Sequence, residues 1–178
     1  MQYGHIDHVS KPISHIVFGT ATPKMFAAFR SVYGEAPDFD ARLQAAFHLL
    51  DDMYAEGVNC FDCSDHYGEE PLGEWLEARG LHDKVVILTK GAHHNRWRKR
   101  VTDFDILHDA HNSLAKLKTN HLDIYMLHRD DPTVPVGPIV EVLNRLYDEG
   151  KIGAFGGSNW TVERTEEAND YALKHGLQ

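Results

Sequence analysis

The stretch Gly19–Asp40, GTATPKMFAAFRSVYGEAPDFD, decides between two folds that the rest of the chain allows equally well. It follows a short apolar run, HIVFGT (15–20), and leads into a segment where Leu43, Ala46, Phe47, Leu50 and Tyr54 recur at helical spacing. A doubly wound α/β sheet would carry G-x-G-x-x-G at this first strand-to-helix turn, because those glycines let the backbone approach a pyrophosphate. No such pattern occurs here. A barrel of β/α units makes no such demand on its first turn.

Working outward, the alternation continues to the end of the chain. Gly57 sits where the first long helix needs a C-cap, and NCFDC (59–63) is the next strand candidate. PLGEWLEA reads as a short helix stopped at Gly80. VVILTK (85–90) and LDIYMLH (122–128) are nearly continuous apolar runs, as expected of strands buried on both faces. Thr102 with Asp105 forms a variant capping box for a helix through Lys118, with Leu107, Ala110, Leu114 and Leu117 on one side. Ile139, Leu143, Leu146 and Tyr147 mark the next helix, ending at Gly150. IGAFGGSN (152–159) is a fifth strand. Val162, Thr165, Ala168 and Ala172 mark a last helix ending at Gly176.

Five successive β/α units imply a parallel sheet covered by helices. A (β/α)8 TIM barrel needs eight units and typically about 250 residues. The expected class is therefore α/β, with residues 1–178 a single domain forming an incomplete TIM barrel of about five units. The closing Gly-Leu-Gln reads as the lead-in to a sixth strand, so the segment is expected to be part of a longer product. Alone, it is expected to be inactive and poorly folded, with two unpaired sheet edges.

The bulk composition narrows the partners. A formal net charge of −9 opposes a general role on nucleic acid or on an anionic membrane surface. The N-terminal MQYGHIDHVSKPISH lacks the apolar core of a signal peptide, and no window approaches the roughly 18 apolar residues of a membrane span. Two cysteines make no disulfide framework. A cytoplasmic location is expected.

In a barrel of this kind, chemistry gathers at the C-terminal ends of the strands. Asp62 ends the second strand, with Tyr67 in the loop beyond it; Lys90 ends the third and His128 the fourth; Ser158 and Asn159 end the fifth. Any one of these could simply meet solvent. Together they suit carbonyl reduction. A free tyrosine is a poor acid at neutral pH, but a neighbouring ammonium stabilises its phenolate and lowers its pKa. Asp62 would hold the ammonium charged, Tyr67 would supply the proton, and His128 would orient the carbonyl oxygen. Within NCFDCSDHYGEE (59–70), strand alternation puts Cys60 and Asp62 on one face and Phe61 and Cys63 on the other. The C-x-x-C pair is then an accident of spacing. Asp65 and His66 are expected to face solvent or the substrate rim.

The blocks FDCSDHYGEEPLGEWL, VILTKG, LDIYMLHRDDP and GKIGAFGGSNW resemble, in order and spacing, those of the aldo-keto reductases. The resemblance covers Ile13 to Gln178, and the arginine after His128 looks like the bacterial branch. It implies a (β/α)8 barrel that reduces aldehydes or ketones with NADPH, or less often NADH. It places the family's catalytic tetrad on Asp62, Tyr67, Lys90 and His128. It also implies that Ser158 and Asn159 hydrogen-bond the nicotinamide carboxamide, with Gly19, Thr20 and Asp62 beside the cofactor. Gly157 stands where the family usually has valine, which is expected to loosen local packing. The family's remaining strands, with their pyrophosphate and 2′-phosphate contacts, would follow Gln178.

Two other readings compete. Some barrels of this family serve as non-catalytic, nucleotide-binding regulatory subunits. A metal-dependent barrel hydrolase would need an H-x-H pair at the first strand, and that strand ends in Gly19-Thr20 instead; no metal is expected. The long Ala21–Phe39 connection could wall a substrate pocket through Met25, Phe26, Phe29 and Tyr33, or pack as surface helix. The basic run Arg96–Arg100 reads as a solvated loop, with attraction of anionic substrates as the alternative. Neither the particular carbonyl substrate nor the oligomeric state is written in the sequence.

Overall fold

A computed structural model describes all residues from Met1 to Gln178. Its elements run β1 (Tyr3–Gly4), β2 (Ile13–Ser14), β3 (Val17–Gly19), α1 (Pro23–Ala27), α2 (Arg30–Tyr33), α3 (Phe39–Ala55), β4 (Cys60–Asp62) and α4 (Glu69–Arg79). They continue with β5 (Val86–Gly91), α5 (Asp103–Lys116), β6 (Leu122–Leu127), α6 (Val136–Asp148), β7 (Ile152–Gly157) and α7 (Val162–His175). Strands β3 to β7 form one sheet in sequence order, every pair parallel. This is part of a (β/α) barrel, with β3 and β7 at its two edges.

Strand alternation divides the apolar residues into two layers. Facing inward, Cys60, Val86 and Ile124 cluster with Leu88, Met126 and Ala154. Facing outward, Phe61, Cys63, Ile87, Tyr125 and Leu127 join a 30-residue cluster shared with the helices, which includes the fully buried Trp75. Thr102 caps α5 as its sequence suggests. Its hydroxyl accepts the Asp105 backbone N–H at 3.3 Å and donates to the Asp105 carboxylate at 2.6 Å.

The N-terminal segment, which has no periodic pattern to announce it, forms the antiparallel β1–β2 hairpin and closes the bottom of the sheet. Val9 and Ile13 complete the inward cluster, and each such burial stabilises by about 1.5–3 kcal/mol. Polar groups lock it there. The Asn59 side chain accepts the Ser14 N–H at 2.8 Å and donates to the Pro12 carbonyl at 2.7 Å. Lys11 donates to the carbonyls of His82 (2.9 Å) and Val85 (2.7 Å) and to the buried Asp123 carboxylate (2.9 Å).

The connection between β3 and α3 divides its aromatic residues. Met25 is buried in the outer core layer, whereas Phe26 and Tyr33 are exposed. Arg30 pairs with Glu74 at 3.1 Å, and the Ser31 N–H is donated to Glu70 at 2.9 Å, so the segment is docked on α4. This is the surface-helix arrangement rather than a free loop.

Candidate active site

Register sets the spacing of the polar residues at the sheet's upper end. Gly19 pairs with Asp62, and Asp62 with Leu88. Lys90 lies two residues beyond Leu88 on the same face, about 6.6 Å further along the strand. A lysine stem is long enough to fold back across that step. The ammonium of Lys90 is bonded to Oδ1 of Asp62, donates to the Tyr67 oxygen at 2.7 Å and reaches the Cys63 carbonyl at 3.3 Å. Tyr67 in turn points its hydroxyl at Asp62 Oδ1, loosely, at 3.5 Å.

The turn that carries Tyr67 depends on two neighbours. Gly68 has a φ of +79°, and a Cβ there would sit 1.8 Å from the Thr20 hydroxyl, so both backbone and space require glycine. Thr20 is fully buried, and its backbone N–H and its hydroxyl both donate to the Asp62 carbonyl at 2.9 Å. The end of β4 and the Tyr67 turn are thereby fixed to each other.

Burial opposes the charge on Lys90, but the bonds from Asp62 and Tyr67 outweigh it and hold the ammonium's pKa above its ordinary value. For Tyr67 the balance falls the other way from the sequence expectation. Burial raises the phenol's pKa and exceeds the lowering effect of the Lys90 bond. Tyr67 therefore rests protonated. His128 packs edge-on to Tyr67, with ring centroids 6.1 Å apart. Burial first, then His93 and Lys90, hold its imidazole down at about 4, so it is neutral at physiological pH.

Ser158 and Asn159 follow β7 beside this group. Asn159 has a φ of +62°, and its amide donates to the His128 carbonyl at 3.0 Å and to the Ser158 hydroxyl at 3.1 Å. Its side-chain oxygen is left to accept. A Cβ added at Gly19 or at Gly156 would meet nothing within 4 Å, so both edges of the inner face offer flat, open ground. Gly157 does not loosen the packing, contrary to expectation. The Trp160 indole occupies its side-chain space, 2.4 Å from where a Cβ would stand.

Three further expectations are sorted by the geometry. Cys60 and Cys63 lie on opposite faces, both fully buried, and burial pushes the Cys60 thiol up to about 12, so the two thiols do not share a site. No group of three or more potential ligands is placed to hold a metal. His66 is exposed, but Asp65 is turned inward and not to solvent. Its Oδ1 is buried without a partner, and burial followed by Asp109 raises its pKa to about 6.

The basic run is neither free nor merely solvated. Arg98 forms a two-point pair with the buried Asp105 at 2.5 and 2.6 Å, Arg100 pairs with Asp109 at 2.5 Å, and Lys99 meets Asp131 at 2.9 Å. The Arg98 and Arg100 pairs clamp the loop after β5 onto α5, and Lys99 ties it to the segment after β6. Sequence reading assigns no role to His93, whose ring packs edge-on against His128 with centroids 4.8 Å apart. Its only sequence signal was its place three residues after Lys90.

A sequence description of the aldo/keto reductase family matches residues 16–177. Over 130 residues the chain is 33% identical to the aldo-keto reductase YhdN of Bacillus subtilis, covering 69% of this chain and 39% of that protein. It is 32% identical over 152 residues to an aryl-alcohol dehydrogenase [NADP(+)] of Phanerodontia chrysosporium, covering 75% of the chain and 39% of the relative. It is also 32% identical over 151 residues to the norsolorinic acid reductase stcV of Emericella nidulans, covering 78% and 39%. The chain thus spans about two fifths of the length of the curated relatives it matches. With the match running from β3 through α7, the chain belongs to the aldo/keto reductase family.

Proposed function

We propose that this chain carries the proton-donating half of an NADPH-dependent carbonyl reductase, with NADH as the alternative cofactor. The observation that carries the reading is the Lys90 ammonium, bonded at once to Asp62 and, at 2.7 Å, to the Tyr67 oxygen. The cofactor, when bound, supplies hydride to the carbonyl carbon. Flat ground at Gly19 and Gly156 fits an aromatic ring, and the free side-chain oxygen of Asn159 fits a carboxamide N–H. Ser158, beside Asn159, is assigned to the same carboxamide, and Thr20 holds the Asp62 strand end against that floor.

As the carbonyl oxygen gains charge, Tyr67 gives it the phenolic proton. Lys90 then stabilises the phenolate across the existing bond, and Asp62 keeps Lys90 charged. Neutral His128 donates an N–H to the same oxygen and sets its direction. The name of the aryl-alcohol dehydrogenase relative favours an aryl aldehyde as the substrate class.

The test is NADPH oxidation with aryl aldehydes by the whole protein that carries this chain. Tyr67→Phe removes only the transferable proton and is expected to lower kcat by about 10²–10⁴-fold, with unchanged thermal stability. Unchanged turnover in that variant would overturn the catalytic assignment and leave the non-catalytic, regulatory reading standing.

A further inference from the structure

The loop after β5 begins with a strained residue. Ala92 is fully buried with a φ of +57°, a left-handed conformation that is unfavourable for a residue with a Cβ. Its N–H is donated at 2.9 Å to Asp109, which Arg100 holds from the far end of the same loop. Strain maintained by buried partners marks a place where the backbone must aim a side chain. The side chain aimed here is His93.

His93 stands in a row of three imidazoles. Its centroid is 4.1 Å from His66 and 4.8 Å from His128, at interplanar angles of 71° and 75°. Its Nδ1 lies 2.9 Å from the His94 carbonyl, which can only accept, so Nδ1 carries the proton there and fixes the tautomer. His128 has no such anchor. Its Nδ1 is buried without a hydrogen-bond partner. A lone pair left unpaired is cheaper to bury than an N–H, so the neutral ring places its proton on Nε2. Only packed rings, Tyr67 on one side and His93 on the other, then set its direction.

We propose that His93 is a positioning residue for the carbonyl site, holding the neutral His128 ring in register with Tyr67 and setting which nitrogen carries its proton. The charged surroundings agree. The row faces Lys90 from β5, Lys116 from α5, Arg100 from its own loop and Arg129 after β6, against the carboxylates Asp65 and Asp109. Cations therefore outnumber anions, and a proton on His93 further disfavours one on His128 or His66. Both are held below the ordinary imidazole value, chiefly by burial and next by His93.

This inference rests on the carbonyl-reductase reading for its consequence, but its first readout does not. Imidazole NMR of the whole protein that carries this chain follows the tautomer and titration of His128 directly, without substrate or cofactor. In the unaltered protein His128 is expected to stay in the Nε2–H form and to titrate near 4. His93→Ala should move its midpoint up by at least one pH unit and mix the tautomers. His93→Phe, which keeps the ring and drops the charge, should keep the tautomer and raise the midpoint by less. His93→Leu fills the space without a ring and should mix the tautomers as His93→Ala does, with a smaller rise in the midpoint, which covers a failure of the alanine variant to fold. In turnover, His93→Ala should lower kcat at least tenfold with KM little changed, and His93→Phe should restore it to within about threefold. An unaltered His128 tautomer and midpoint in the folded alanine or leucine variant overturns the proposal. If Tyr67→Phe kept full activity, the carbonyl-reductase reading would fail instead, and the NMR result would stand.

Discussion

Two lysine–aspartate pairs, each with one buried member, lie at opposite ends of the same sheet in different surroundings. At the bottom, Lys11 uses all three ammonium protons on His82, Val85 and Asp123, and Asp123 also takes the Ile87 N–H at 2.8 Å. Every partner there is fixed backbone or carboxylate. At the mouth, Lys90 shares its charge with a half-buried Asp62 and with Tyr67, whose proton can leave. The bottom pair is closed and holds the β1–β2 hairpin in place. The mouth pair is open on the side of Tyr67. An ion pair is structural when its bonds are all to groups that never change, and chemical when one partner can give up a proton.

The sharpest way to break this contrast is to remove the bottom carboxylate. Asp123→Ala leaves the Lys11 charge and the Ile87 N–H without their partner, and should cost about 3–5 kcal/mol. Thermal or denaturant unfolding reads this directly, and a cost near zero would mean that the hairpin is not pinned by the pair.

A smaller effect sharpens the mouth. Asp65 has its pKa raised to about 6 in the fold, so the native state binds that proton more tightly than the unfolded chain does. Its favourable contribution is present in acid and is lost as pH rises through 6. Asp65→Asn should therefore stabilise the protein by about 2 kcal/mol near pH 8, and the gain should vanish as pH falls toward 4. Unfolding curves at several pH values check both the sign and the window. A gain that grows in acid would contradict the burial of Asp65.

The same contrast explains what the sequence could reveal. β5 and β6 are legible because burial on both faces demands continuous apolar runs, and the polar mouth is legible because Asp62, Lys90 and His128 lie at or just past the ends of successive strands. The β1–β2 hairpin was missed because its strands are two residues long and its apolar contribution is only Val9 and Ile13. Its other half, Asp123, lies more than a hundred residues away and reads as one more polar residue in a strand. The histidine row was invisible for a similar reason: His66, His93 and His128 meet only through three loops, and Ala92 gives no sign of positive φ. Tyr67's raised pKa was misjudged because the ammonium is visible in the residue types, whereas the degree of burial is not.

The most direct measurement pairs turnover with stability in Lys90→Met and Lys11→Met. Both substitutions remove an ammonium and keep the stem. Lys90→Met should lose about 10²-fold or more in carbonyl reduction while unfolding within about 1 kcal/mol of the unaltered protein. Lys11→Met should unfold several kcal/mol earlier and keep its kcat wherever it remains folded. If Lys11→Met lost turnover while folded, or Lys90→Met retained it, the division between a closed bottom and a reactive mouth would be wrong.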